Sequence, residues 1–147
     1  MRRHAAGVSV LTLEHEDRKL GVTIGSLVSV ALEPPLVAMS IGHHSPVHTP
    51  LLEAGGFTLS LLAGDQEAVA QHFARGGMPP IAAWTGIAVR PGDGPPLLEG
   101  SLAWLRCSVE GVHEAGDHSI VVGAVDEVEL GRPGRALVYV DGEYRPA

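Results

Sequence analysis

Short runs of β-branched and apolar residues, separated by turn formers, dominate the chain. Residues 7–13 read G-V-S-V-L-T-L, and residues 20–32 read L-G-V-T-I-G-S-L-V-S-V-A-L before Pro34 and Pro35 stop the run; both predict strands. Further strands are predicted at 36–41, 57–62, 118–130 and 136–140. The strictest alternation spans 103–110, with Ala103, Leu105, Cys107 and Val109 on one face and Trp104, Arg106, Ser108 and Glu110 on the other. Gly25, Gly111 and Gly123 interrupt strand patterns and predict bulges or sharp bends. Two short helices fit between the strands. Ser45 is the expected N-cap of the first, with Pro46 at its first position and Gly55 as its stop. Asp65 is the expected cap of the second, over 66–74, which places Val69 and Phe73 one turn apart and ends at Gly76. The Gly/Pro-rich stretch 76–96 reads as a long surface excursion. About seven strands, few helices, no repeat and no second domain predict one mainly-β domain over 1–147, a small closed or partly open barrel.

Composition narrows the chemistry. The 147 residues are 45% apolar and 18% charged, with 19 Gly and 11 Pro, a profile of a turn-rich globular chain. The net charge is −7 and the ten basic residues are scattered along the sequence, which excludes a basic stripe for nucleic acid. The single cysteine, Cys107, forms no internal disulfide and no thiolate cluster. No apolar run reaches the roughly 18 residues that span a bilayer. The opening M-R-R-H-A-A-G-V-S-V leads directly into strand pattern rather than a signal peptide, so the cytoplasm is the expected compartment. Phosphate-loop, dinucleotide-fold, nucleophile-elbow and H-E-x-x-H motifs are absent from the sequence. His43, His44 and His48 invite a metal, but no carboxylate or cysteine set accompanies them, and they read as loop histidines.

Thr23, Ser26 and Ser29 form a hydroxyl-rich segment. Residues three apart on an extended chain point to opposite faces, so a shared site requires a bend. Gly25 would supply the bend and let backbone N–H groups approach an anion. The alternative is a polar outer face of a barrel.

Five stretches in order carry a family resemblance: A-A-G-V-S-V-L-T (5–12), G-V-T-I-G-S-L-V-S-V-A-L-E-P-P-L-V (21–37), G-G-F-T-L-S-L-L-A-G-D-Q-E-A-V-A-Q-H-F-A (55–74), G-D-H-S-I-V-V-G-A-V (116–125) and L-V-Y-V-D-G-E-Y (137–144). Together they resemble the flavin reductase-like family, short-chain flavin:NAD(P)H oxidoreductases built on an FMN-binding split barrel. The resemblance implies that Thr23, Gly25, Ser26 and Ser29 hold the flavin phosphate and ribityl chain. It places Ser40 and Ile41 beside the isoalloxazine and Ser45, on the loop 43–48, near the phosphate end. His118, in the G-D-H motif, would face the nicotinamide, its alternative role being a turn residue paired with Asp117. Phe73 and Tyr144 would help close the pocket, although Phe73 also suits a helix core. Arg75 would contact a pyrophosphate or simply cap a helix dipole. The sequence departs from the family pattern at Gly25, Leu27, Ala31 and Ser60.

The implied activity is hydride transfer from NADH or NADPH to FMN or FAD, with a separate monooxygenase as a partner for the reduced flavin. The implied assembly is a homodimer, with Trp104 and apolar strand faces at the contact. Such chemistry belongs to the two cofactors and needs no buried acid–base pair in the protein. The competing readings are a flavin-binding electron carrier or storage protein without nicotinamide oxidation, a split-barrel enzyme using heme or a deazaflavin, and a purely structural barrel.

Overall fold

A two-residue turn sets the first hairpin. Glu16 and Asp17 both adopt positive φ, and β3 (Arg18–Ile24) folds back on β2 (Ser9–His15) in unbroken antiparallel register from Ser9↔Ile24 to His15↔Arg18. Positive φ at both central positions matches the right-handed twist of the flanking strands. This computed structural model describes residues 1–147 apart from the side chain of Pro80. Its further strands are β1 (Ala6–Gly7), β4 (Val28–Leu32), β5 (Pro35–Gly42), β6 (Gly56–Leu61), β7 (Ala103–Ala115), β8 (His118–Leu130), β9 (Leu137–Val140) and β10 (Glu143–Pro146). The helices are α1 (His48–Ala54), α2 (Glu67–Ala74) and the single turn α3 (Pro80–Ala83).

Seven strands form one antiparallel sheet in the order β3-β2-β6-β7-β8-β5-β4, and β1, β9 and β10 form a second, smaller sheet. The two edge strands of the large sheet, β3 and β4, are joined only by residues 25–27. That link spans roughly 14 Å at most. The sheet therefore curls until its edges meet, without pairing along them, and encloses a core. This is the expected mainly-β split barrel. Leu11, Leu13, Met39, Phe57, Leu59 and Val121 fill the interior, and Leu51 of α1 closes one end. A second cluster outside the barrel packs α2, through Ala70 and Phe73, against Val8, Val10, Leu62 and Leu137.

Several local expectations are corrected. The run 20–32 is two strands, because Gly25–Leu27 leaves the sheet between its opposite edges. Gly25 has ordinary φ there, and a Cβ would meet only Ala6 Cβ at 3.5 Å, so the bend does not depend on glycine. Ser45 is not the cap of α1. Two turns, Ser45 N–H to Gly42 C=O and His48 N–H to Ser45 C=O, precede a helix whose N-cap is Val47, although Gly55 ends it in the left-handed region as expected. Asp65 is not the N-cap of α2: it pairs with Arg132, and Gln66 stands at that position. The expected excursion contains α3 and continues to a bridge between Val89 and Leu98.

Trp104 belongs to the solvent-side row of β7 but is buried, because residues 84–100 lie across it. Its indole N–H donates to Leu98 C=O at 2.9 Å, and the Arg90 guanidinium sits 4.5 Å over the ring. It is thereby withdrawn from any contact between copies. Gly111 does mark a register shift. Gly123 has a different role: a Cβ there would fall 2.6 Å from Phe57 Cζ, so the glycine makes room for the core ring.

Candidate functional site

The seam between the two sheet edges is organised by one hydroxyl. Ser40 N–H donates to Ser26 Oγ at 3.1 Å, and Ser26 O–H donates to Ser40 C=O at 3.2 Å. Ser26 thus binds both backbone groups of a β5 residue that lies beyond the last β4 partner, Val28↔Ala38. Thr23 is likewise committed, its O–H donating to Ala70 C=O of α2 at 2.6 Å. Two of the three predicted hydroxyls therefore hold the fold around the seam, while Ser29 lies exposed on β4. Among the described residues, the N–H groups of Gly25, Ser26 and Leu27 have no backbone partner. They are the donors in this segment that an anionic ligand can still use.

Ser40 is exposed on β5, and its neighbour Ile41 turns into the core. His118 stands opposite Gly42, close enough that a Cβ on Gly42 would lie 3.5 Å from His118 Nε2. His118 Nδ1 meets Asp117 Oδ1 at 2.7 Å. That hydrogen bond, and then the charge of the ring, lower the Asp117 carboxyl below its ordinary value. With Nδ1–H donated to Asp117, a neutral His118 offers Nε2 as an acceptor at the surface. The turn-pairing role and the site role considered for His118 are therefore compatible in one geometry.

A cleft of about 180 Å³ opens between the start of β3, the approach to α1 and the end of α2. Arg18, Lys19 and Arg75 line it, Val47, Phe73 and Met78 supply apolar wall, and no Asp or Glu contributes to the lining. In a chain of net charge −7, these cations gather against the overall sign, with Arg18 Nη2 also 3.6 Å from Glu16 Oε2. The cleft suits a ligand with an apolar body and an anionic tail. Phe73 packs against β3, where a Cβ on Gly21 would meet the edge of its ring at 2.8 Å. Sequence order gives no sign that Arg18 and Lys19 join Arg75, because only the packing of α2 on β3 brings them together.

Tyr144 sits elsewhere. It lines a second, more open groove of about 620 Å³ with Tyr139, Gln71 and Glu67, and its ring packs against Tyr139 at a tilt, with centroids 4.9 Å apart. Burial, followed by Tyr139 and Glu67, pushes the Tyr144 phenol up. Arg75 borders both clefts, so Phe73 and Tyr144 flank it rather than closing one pocket together. Ser45 lies on the turn beside Pro46, which borders the cation cleft. Among the described residues, no cluster of His, Cys, Asp or Glu has the arrangement of a metal site. No helix there is long and apolar enough to cross a membrane.

Residues 1–147 match a family model described as flavin reductase like domain. The reductase component of 4-hydroxyphenylacetate 3-monooxygenase from Thermus thermophilus is 42% identical over 145 residues, covering 99% of this chain and 91% of that protein. An NADH-dependent flavin reductase from a Rhodococcus species is 39% identical over 149 residues, covering 97% and 80%. Among solved structures, the flavin reductase component of a bacterial two-component tryptophan halogenase is similar with a TM-score of 0.89 at 36% identity, covering 99% of this chain and 92% of that one.

Proposed function

The chain belongs to the flavin reductase like domain family, and from that membership we propose that it transfers hydride from NADH or NADPH to FMN or FAD. The observation that carries the reading is the carboxylate-free cleft lined by Arg18, Lys19 and Arg75 in an otherwise acidic protein. It fits a flavin nucleotide, as do the free N–H groups of Gly25, Ser26 and Leu27 at the seam. The bound flavin and nicotinamide supply the redox chemistry, and the protein supplies position and electrostatics.

Each group then has a task. Arg18, Lys19 and Arg75 hold phosphate charge, with Phe73 as apolar support. The backbone N–H groups at 25–27 receive the polar edge of the ring system, while Ser26, bonded to both backbone groups of Ser40, fixes that segment beside β5. Thr23 and Ile41 support this segment from behind, through α2 and the core; Ser45 lies next to Pro46 of the cation cleft, Ser29 lies exposed on β4, and Tyr144 lines the neighbouring groove that shares Arg75. His118, steadied by Asp117, accepts a hydrogen bond from the nicotinamide carboxamide and orients that ring. No side chain needs to transfer a proton.

Residues 1–147 are read as a single domain, supported by a family match over that whole range. The working unit is a homodimer. The outer face of β4–β5–β8 carries an apolar row, Val28–Ala38–Val122, on which Val28 is exposed and Ala38 is buried, flanked by exposed Ile120. A separate monooxygenase receives the reduced flavin, a reading supported by relatives named as reductase components. The cytoplasm is the compartment that suits both nucleotides.

The test is oxidation of NADH and of NADPH with FMN and with FAD, followed by loss of nicotinamide absorbance. Turnover above the free-flavin rate is expected for at least one pairing. Background rates in all four would overturn the assignment.

A further inference from the structure

The loop 43–48 carries a polar cluster that the proposed site does not use. At its centre is Ser119, which has no exposed surface and lies on β8 between Ile41 of β5 and Glu114 of β7. Its Oγ has three polar partners: His48 Nε2 at 2.8 Å, Glu114 Oε1 at 3.2 Å and His43 Nε2 at 3.3 Å. His43 Nε2 also lies 3.0 Å from Glu114 Oε2, and the two imidazoles meet edge-on with centroids 5.1 Å apart.

Proton counting fixes the directions. A serine hydroxyl has one proton to give and an ionised carboxylate has none. One arrangement leaves no acceptor facing another. Ser119 O–H donates to Glu114 Oε1, His48 Nε2–H donates to Ser119 Oγ, and His43 Nε2–H donates to Glu114 Oε2. Both rings must therefore carry their proton on Nε2.

The cluster joins the two ends of the proposed site. Adjacent strand residues face opposite ways, so Ser119 anchors from inside the strand that presents His118 outside. The His43 N–H adds a backbone tie to Asp117 C=O at 2.9 Å, next to the carboxylate that holds His118. At the other end His48 opens α1, directly after Val47, which lines the cation cleft.

We propose that His43, His48, Ser119 and Glu114 form a latch that sets the loop 43–48 between His118 and the cation cleft, which makes His48 and Ser119 positioning residues for the nicotinamide nucleotide. The positioning role rests on the hydride-transfer reading above.

Steady-state kinetics of the full chain with NADH and FMN test it through two variants. His48→Ala, which removes the donor to Ser119, is expected to raise KM for NADH about tenfold with kcat changed less than about twofold. His48→Gln, which keeps a side-chain N–H, is expected to recover KM to within about threefold of the parent. Equal KM in parent and both variants, with only the melting temperature altered, would overturn the positioning role. Long-range nitrogen–proton NMR spectra of the parent's imidazoles test the latch without turnover. Nε2–H tautomers at His43 and His48 are expected, and an Nδ1–H tautomer at His48 would overturn it. A parent chain without turnover would remove the functional reading and the positioning role together, leaving the tautomers to decide the latch.

Discussion

The outer faces of β2–β6–β7 and of β4–β5–β8 belong to one sheet but meet different surroundings. On the first, Val10, Thr12 and Ser60 have no exposure and Trp104 only 6%. On the second, Val28 is 54% exposed, Val30 52% and Ile120 40%. The more polar row is the buried one. It can be, because residues 84–100 bring their own hydrogen-bonding groups. Thr12 O–H donates to Pro96 C=O at 2.6 Å, Leu98 N–H donates to Ser60 Oγ at 3.3 Å, and Leu98 C=O accepts from Trp104. Backbone acceptors and donors over the row allow Thr12 and Ser60 to be buried, whereas Thr58 beside them is buried with its Oγ1 unpartnered among the described residues. The apolar row needs no such partners, and Val28, Val30 and Ile120 remain exposed on that face. That contrast is the physical support for a second copy at β4–β5–β8.

Substitutions can break the comparison on either side. The largest effect is expected from Trp104→Ala on the covered side, where ring burial, the bond to Leu98 and the Arg90 contact disappear together. Urea denaturation should show a loss of about 3–5 kcal/mol, and a loss under about 1 kcal/mol would mean that residues 84–100 are only loosely attached. Gly123→Ala tests the inner side of the bare half. Its Cβ would press on Phe57, and a cost of about 1–3 kcal/mol in a thermal melt would show that the core is rigid even where the outer face is open. Val28→Asp acts on the bare row itself. Sedimentation should show self-association weakened about tenfold, on the order of 1.4 kcal/mol, with the fold kept by circular dichroism. Unchanged self-association would remove β4 from the contact.

Two smaller effects concern titration. The Asp117 carboxyl is held below its ordinary value of 3.8 chiefly by the hydrogen bond from His118. A lowered native value stabilises the fold above the unfolded value, and that contribution is lost as pH falls through the lowered one. Asp117→Asn should therefore narrow the stability difference between about pH 6 and pH 3. Because Asp117 is exposed, the change should be slight. Cys107, on the inner face, has its thiol pushed up to about 12 by burial and then by Asp126. The thiol form persists past the ordinary value of 9.0, so maleimide labelling at neutral pH should proceed only as fast as the chain opens.

Much of the fold was legible in the sequence. Period-2 alternation and turn residues located the strands of the large sheet and β9 because those signals are local, while β10 and the far end of β7 went unmarked. What was not legible depended on distant partners. Asp65 resembles a helix cap until Arg132, far along the chain, engages it. Trp104 looks solvent-facing until a Gly/Pro-rich segment lies over it. Ser45 and Pro46 form a helix-start pattern, yet the chain makes two turns before helical geometry begins. The same division holds for the site. The G-D-H motif and the hydroxyl segment are visible as strings, whereas the grouping of Arg18 and Lys19 with Arg75 exists only after α2 packs on β3. The strings also left open that Thr23 and Ser26 are occupied by backbone partners.

Ser26 has one further consequence. By engaging both backbone groups of Ser40, its side chain stands where the next residue of a neighbouring strand would bond. It acts like the stop at the end of a zip. β4 cannot extend along β5 past this point, and β3 cannot close onto the vacant edge, so the gap in the wall is built in by a side chain imitating a peptide. A barrel zipped shut would be a tighter protein with no opening along its flank.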